Sequence, residues 1–175
     1  MKFAAIILAV APICSFAASS NTINFQGNVS SQTCSVTING NAATPVVLLP
    51  TVSSAVLNAA GNKAGLTKFT VGLTGCTAPG SNAQPVGTVF VGNQVTASGN
   101  LGNTGTAKNV SLQLVDPADP SAPLKVDGTT ATSGLSIAAG QTSATHDFAV
   151  QYFAEAIGVT PGSVLGSVQY AINYQ

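Results

Sequence analysis

Arginine and tryptophan are absent from this chain of 175 residues, histidine and methionine occur once each, and charged residues make up only 6% of it. An ordinary globular protein carries about 25%. The five cations are all lysines and five acids balance them, so no basic stripe could neutralise a run of phosphates. Nucleic acid is thereby excluded as a partner. Long apolar runs are missing too. The longest, Phe3 to Ile13, spans eleven residues, far short of the roughly 20 that cross a bilayer. Yet a hydrophobic fraction of 45% is too high for a chain kept unfolded by its charge. What remains is small: Gly, Ala, Ser, Thr, Asn and Val, a mixture suited to short strands and turns.

The same short apolar run has a use. Met1-Lys2 precedes it and Ser15-Phe16-Ala17 follows, which predicts a secretory signal over residues 1–17 with cleavage after Ala17. Ala11-Pro12-Ile13 is a poor lipobox, so Cys14 is expected to leave with the signal. Two cysteines then remain, Cys34 and Cys76, and in an oxidising compartment such a pair forms one disulfide. A metal site is the weaker reading, because two thiols with a distant His146 cannot supply the usual zinc ligand set.

The dominant period along the rest of the chain is two. Residues 34–38, 67–74, 86–91, 109–114, 146–153 and 164–174 each read as strands, and Asn39-Gly40 as a hairpin turn. In the last of these, Val164, Gly166, Val168, Tyr170, Ile172 and Tyr174 share one face. Turn-rich stretches are expected at 78–85, 99–108, 116–123 and 127–140, with a flexible loop over 99–105. Residues 52–60 predict a helix of two turns at most, or irregular chain. Seven or eight short strands with one disulfide make an all-β, antiparallel β-sandwich with Greek-key connections. No repeat or second domain is visible.

Catalytic chemistry finds no purchase. His146 lacks a marked nucleophile, since no Gly-x-Ser-x-Gly exists. Asp116, Asp119 and Asp127 have neither the spacing nor the central glycine of a calcium loop. The sequence predicts no catalytic residue, no metal and no cofactor.

One segment does not fit a self-contained sandwich. Before Cys34, the run Ile23-Asn24-Phe25-Gln26-Gly27-Asn28-Val29 alternates, with Ile23, Phe25, Gly27 and Val29 on one face. It is either a first strand of its own sheet or a strand meant for another molecule's. Gly27, between large neighbours on the apolar face, suggests a backbone pressed against a crowded site.

These residues carry a resemblance. Ile23–Val29 ahead of Cys34; Phe69-Thr70-Val71-Gly72-Leu73-Thr74-Gly75-Cys76; Asn109-Val110-Ser111-Leu112-Gln113-Leu114-Val115-Asp116 leading to Leu124–Gly128; Phe148–Ala154; and the ending Tyr170-Ala171-Ile172-Asn173-Tyr174-Gln175 together resemble a major subunit of type 1-like fimbriae built by the chaperone–usher pathway. The resemblance implies an incomplete immunoglobulin-like sandwich, completed by a donor strand from another subunit. It divides the chain into a signal (1–17), a donor extension (18–31) and a pilin domain (32–175). Ile23, Phe25 and Val29 would be the plugs and Gly27 the close-approach point. Val164, Val168, Tyr170, Ile172 and Tyr174 would edge the acceptor groove and face the chaperone. Implied partners are other copies of the chain, a periplasmic chaperone, an outer-membrane usher, and a tip adhesin or adaptor. The destination would be a cell-surface fimbria, reached through the periplasm. Two alternatives stay open: a minor adaptor or receptor-binding subunit, and a monomeric exported β-sandwich binding module.

Overall fold

The computed structural model describes residues 29–30, 32, 34–43 and 45–175. The expected signal, residues 1–17, and Ile23, Phe25 and Gly27 of the expected donor segment lie outside the described residues. Eight strands form in chain order: β1 (Ser35–Ile38), β2 (Lys63–Thr74), β3 (Gln84–Gly92), β4 (Val110–Asp116), β5 (Asp119–Pro123), β6 (Asp127–Ile137), β7 (Ser143–Ala154) and β8 (Val168–Tyr174). They make two antiparallel sheets, ordered β1-β2-β7-β4-β5 and β6-β3-β8.

Alternation explains the packing. Phe69, Val71 and Leu73 of β2, Leu112 and Leu114 of β4, and Phe148 and Val150 of β7 turn inward from the larger sheet. Val86 and Phe90 of β3 meet them from the smaller one. Phe148 is the keystone: its ring stands edge-on to Phe90 across the sheets at 5.2 Å and tilts against Phe69 at 5.9 Å. Burying one such side chain is worth about 1.5–3 kcal/mol. The Cys34–Cys76 disulfide forms, tying the start of β1 to the end of β2. Asn39 and Gly40, both at positive φ, close a two-residue turn in which Ile38 and Asn41 exchange backbone hydrogen bonds.

Two of the expected turn regions are strands. β5 occupies most of 116–123, and β6 most of 127–140. Both are sheet edges, where proline and glycine are tolerated because one row of backbone groups needs no partner. β8 begins at Val168, four residues later than its alternation predicts. The expected helix over 52–60 is a single 3-10 turn, Ser54–Leu57, capped by the Ser53 hydroxyl. It buries Leu57 and leaves Val56 exposed.

Candidate functional site: an apolar trough with two open edges

The larger sheet ends at β1 and the smaller at β8, and between those two edges the sandwich is open. The opening is a trough of about 460 Å³. Its floor is the core itself: Phe69, Phe90, Leu101, Leu112, Leu114 and Val150. One wall is Ile38 with the run Pro45–Leu49, and the other is residues 164–168 with Tyr170. No charged residue lines it among the described residues. Large apolar side chains also stand exposed on both rims, Val46 at 75%, Leu48 at 83% and Leu165 at 59%. An apolar cleft of this kind reaching into a domain core marks a binding site.

The backbone along the walls is what gives the trough its character. On the 164–168 side, alternate residues are bonded away from the opening. Leu165 donates its N–H to Asn103 Oδ1 and accepts from Thr104 N, Ser163 O accepts from Ala107 N, and Ser167 O accepts from Asn93 N. Val164 and Gly166, in between, make no backbone hydrogen bond among the described residues. Opposite, residues 45–49 likewise make none among the described residues. Strand geometry sends alternate N–H and C=O groups to opposite edges. Among the described residues the trough therefore presents two rows of unpaired backbone groups flanking an apolar floor, and a third element with its own backbone row can pair with them.

Tyr152 bounds one end. Its ring lies over the irregularity in β2 between Ala64 and Thr67, and Gly65, at positive φ, makes room: a Cβ there would come 2.8 Å from the ring. Its hydroxyl donates to Pro50 O at 3.2 Å. Burial pushes the phenol above its ordinary pKa, so it stays a neutral donor. Beyond Tyr152 and Val164, which line both spaces, lies a second chamber of about 420 Å³ containing Val52, Leu57, Val110 and Val159.

Of the residues the sequence nominated for the groove, Val164, Val168 and Tyr170 line the trough. Ile172 and Tyr174 pack against the core further along β8 and do not line it. Val29 is exposed. Sequence reasoning missed the Pro45–Leu49 wall. Its signal was present, four apolar residues framed by Pro45 and Pro50, but without alternation it announces neither a strand nor a helix.

The polar residues weighed for chemistry are occupied elsewhere. His146 packs edge-on against Phe148 at 4.8 Å. Asp116, Asp119 and Asp127 each accept hydrogen bonds from their own turns. Those donated by Thr129 and Thr130 hold the Asp127 carboxyl far below the usual carboxylate range. None of these groups reaches the trough.

Comparison with known proteins gives a consistent result. A family model described as "Fimbrial protein" matches residues 23–175. The F17 fimbrial protein of Escherichia coli is 38% identical, over 97% of this chain and 95% of its own length. The major fimbrial subunit SMF-1 of Stenotrophomonas maltophilia is 35% identical, over 96% of this chain and 99% of its own. Among solved structures, a chaperone–usher pilus chain superposes with a TM-score of 0.61 at 17% identity, covering 94% of this chain and all of that one. The P pilus rod subunit PapA gives 0.58 at 15%, covering 81% of this chain and 99% of its own. At such identities the structural likeness speaks for the fold.

Proposed function

The chain belongs to the fimbrial protein family, a family of structural subunits and not of enzymes, and on that premise we propose that it builds a fimbrial shaft by strand donation. Residues 1–17 are the export signal, 18–31 the donor and 32–175 the accepting domain. The observation that carries this reading is the trough, uncharged and apolar below, with unpaired backbone on both sides. A strand from outside the domain satisfies both at once. The segment Asn21 to Ser30 has the matching chemistry, with no charge and its apolar residues on one face.

The register follows from the partition at Tyr152. Ile23 and Phe25 fill the larger chamber, Gly27 passes over Tyr152, which lines both chambers, and Val29 enters the chamber at Leu57. In that order the donor runs antiparallel to β8. Burying three plugs is worth roughly 5–9 kcal/mol together, comparable with the whole stability of a domain this size, about 5–15 kcal/mol. Because donor and trough are different surfaces, the contact is head-to-tail and does not close, and the product is a filament. Before assembly a periplasmic chaperone covers the trough, with Val164, Val168, Tyr170, Ile172 and Tyr174 as the side it meets. The outer-membrane usher is where the next subunit's donor replaces it.

Deletion of residues 18–30 tests the reading. A strand-donating subunit loses polymerisation yet still binds a chaperone or donor peptide. A monomeric binding module that uses this segment as its own first strand instead loses its fold.

A further inference from the structure

Beside the trough, outside any regular strand, residues 93–108 form a polar excursion. Its side chains are mostly small and polar, and of its large apolar residues Leu101 is buried while Val95 is half exposed. What holds it is a carboxylate. Glu155, directly after β7, accepts hydrogen bonds from Thr96 Oγ1 at 2.9 Å, Ser98 Oγ at 2.7 Å, Asn100 Nδ2 at 3.1 Å and Ser111 Oγ at 2.6 Å. The Glu155 N–H is fixed in turn on Asn109 O. Burial opposes the charge, but the hydrogen bonds from Ser111, Ser98, Asn100 and Thr96 outweigh it and hold the carboxyl below its ordinary pKa. Asn100 is 2% exposed and passes the arrangement on: its Oδ1 accepts from Gln113 Nε2, and Gln113 Oε1 accepts from Gln151 Nε2.

The consequence reaches the trough by a short route. Leu101, next to Asn100, pairs with Leu112 through both backbone groups and places its side chain in the trough floor. Asn103, two residues on, accepts Leu165 N–H at 2.9 Å, and Thr104 N–H donates to Leu165 O. Loop 93–108 is thus the outer support of the wall at 163–167. Hydrogen bonds to a charged acceptor are stronger than neutral ones, and here one carboxylate gathers four of them.

We infer that Glu155 is a positioning residue for the accepting trough: its carboxylate orders the 96–100 turn, and through Leu101 and Asn103 that turn sets the floor and the 163–167 wall at the spacing a donor strand needs. The inference rests on the strand-accepting reading of the trough.

The test is Glu155→Gln in the full chain, with Ser98→Ala as a milder variant that removes one donor and leaves the charge. Two readouts are taken. Amide hydrogen exchange is expected to rise at least about tenfold at Leu101, Thr104 and Leu165, and by much less at Val71, Leu73 and Val150, whose amides open only with the whole domain. Binding of a synthetic peptide of the sequence Asn21 to Ser30 is expected to weaken about tenfold, chiefly through faster dissociation. In Ser98→Ala both effects appear in the same order and smaller. A rise spread evenly over all amides would reduce Glu155 to general stability and overturn the inference, as would exchange confined to 96–100 with Leu165 untouched. If exchange changes as expected but the peptide binds neither variant nor wild type, the strand-accepting reading itself fails, and the role assigned to Glu155 falls with it.

Discussion

Gly166 is the sharpest place to perturb the trough without touching the donor. It sits in the wall between Val164 and Val168. A Cβ built on it would lie 3.1 Å from Leu112 Cδ1, 3.4 Å from Gly102 O and 3.7 Å from Leu101 Cβ. The first methyl is therefore accommodated with a small shift of a leucine terminus. The two γ-methyls of valine must project into the trough, over floor that is otherwise open. Gly166→Val should leave the empty subunit near its original stability, since overpacking strain, about 1–3 kcal/mol, is offset by apolar floor covered. The donor, by contrast, loses the seat of one plug. That is worth roughly 1.5–3 kcal/mol, or about 10- to 150-fold in affinity. Fluorescence anisotropy with a labelled peptide of the sequence Asn21 to Ser30 measures the affinity, and urea denaturation of the same chain measures the stability. Unaltered peptide affinity, with the valine variant folded, would mean that the strand does not lie between these walls.

Three further outcomes are expected. Replacing Cys34 and Cys76 together by serine removes a cross-link over a sequence separation of 42, worth about 4 kcal/mol on the chain-entropy account, and should lower the urea midpoint accordingly with little change in far-UV circular dichroism. Gly134, at φ 113, has its vacant Cβ position overlapping the His146 ring; Gly134→Ala should destabilise by about 1–3 kcal/mol and disturb the β6 edge first, read by hydrogen exchange at Thr132 and Leu135. Because the folded state depresses the Glu155 carboxyl pKa, its contribution is complete above the ordinary value of 4.5 and fades as the pH falls below it. Glu155→Gln should therefore be less stable than wild type at neutral pH, with the difference narrowing as acid is added, followed by thermal melts from pH 7 to pH 3.

Much of this architecture is legible in the sequence because half-buried strands write their two faces as alternating residues. β1, β2, β4 and β7 are visible that way, and β3 as a more continuous apolar run. β5 and β6 were not, for a physical reason. Asp119-Pro120-Ser121-Ala122-Pro123 pairs with β4 only at Val115 and Asp116, so little side-chain pattern is demanded of it. In β6, where Gly134 lies, the register against β3 slips between Val86 and Thr88, and the alternation breaks where a sequence reader needs it. The trough was half legible. β8 declares a shared face for Val164, Val168 and Tyr170, which line the trough; that such a face edges a groove comes from the family resemblance and not from the period. Ile172 and Tyr174 share that period but lie beyond the opening, a distinction set by where the opposite wall ends and not by β8. Among the described residues the Pro45–Leu49 wall has no pairing partner to impose a period on it, which is also why it can receive one. Glu155 gave no signal at all: one acid after an apolar strand reads as a solvated terminus, and only the fold brings Thr96, Ser98, Asn100 and Ser111 around it.

The central claim is that a strand from elsewhere completes this sandwich, and a permuted chain tests it most directly. Residues 19–31 are removed from the front and joined, through a short flexible linker, after Gln175. From there they can turn back and run antiparallel along β8 into the trough. Size-exclusion chromatography and a chemical denaturation curve are then compared with those of the chain lacking the segment altogether. A monomer more stable by several kcal/mol is the predicted result. A permuted chain that gains nothing over the truncated one would contradict strand donation and leave the trough to another ligand.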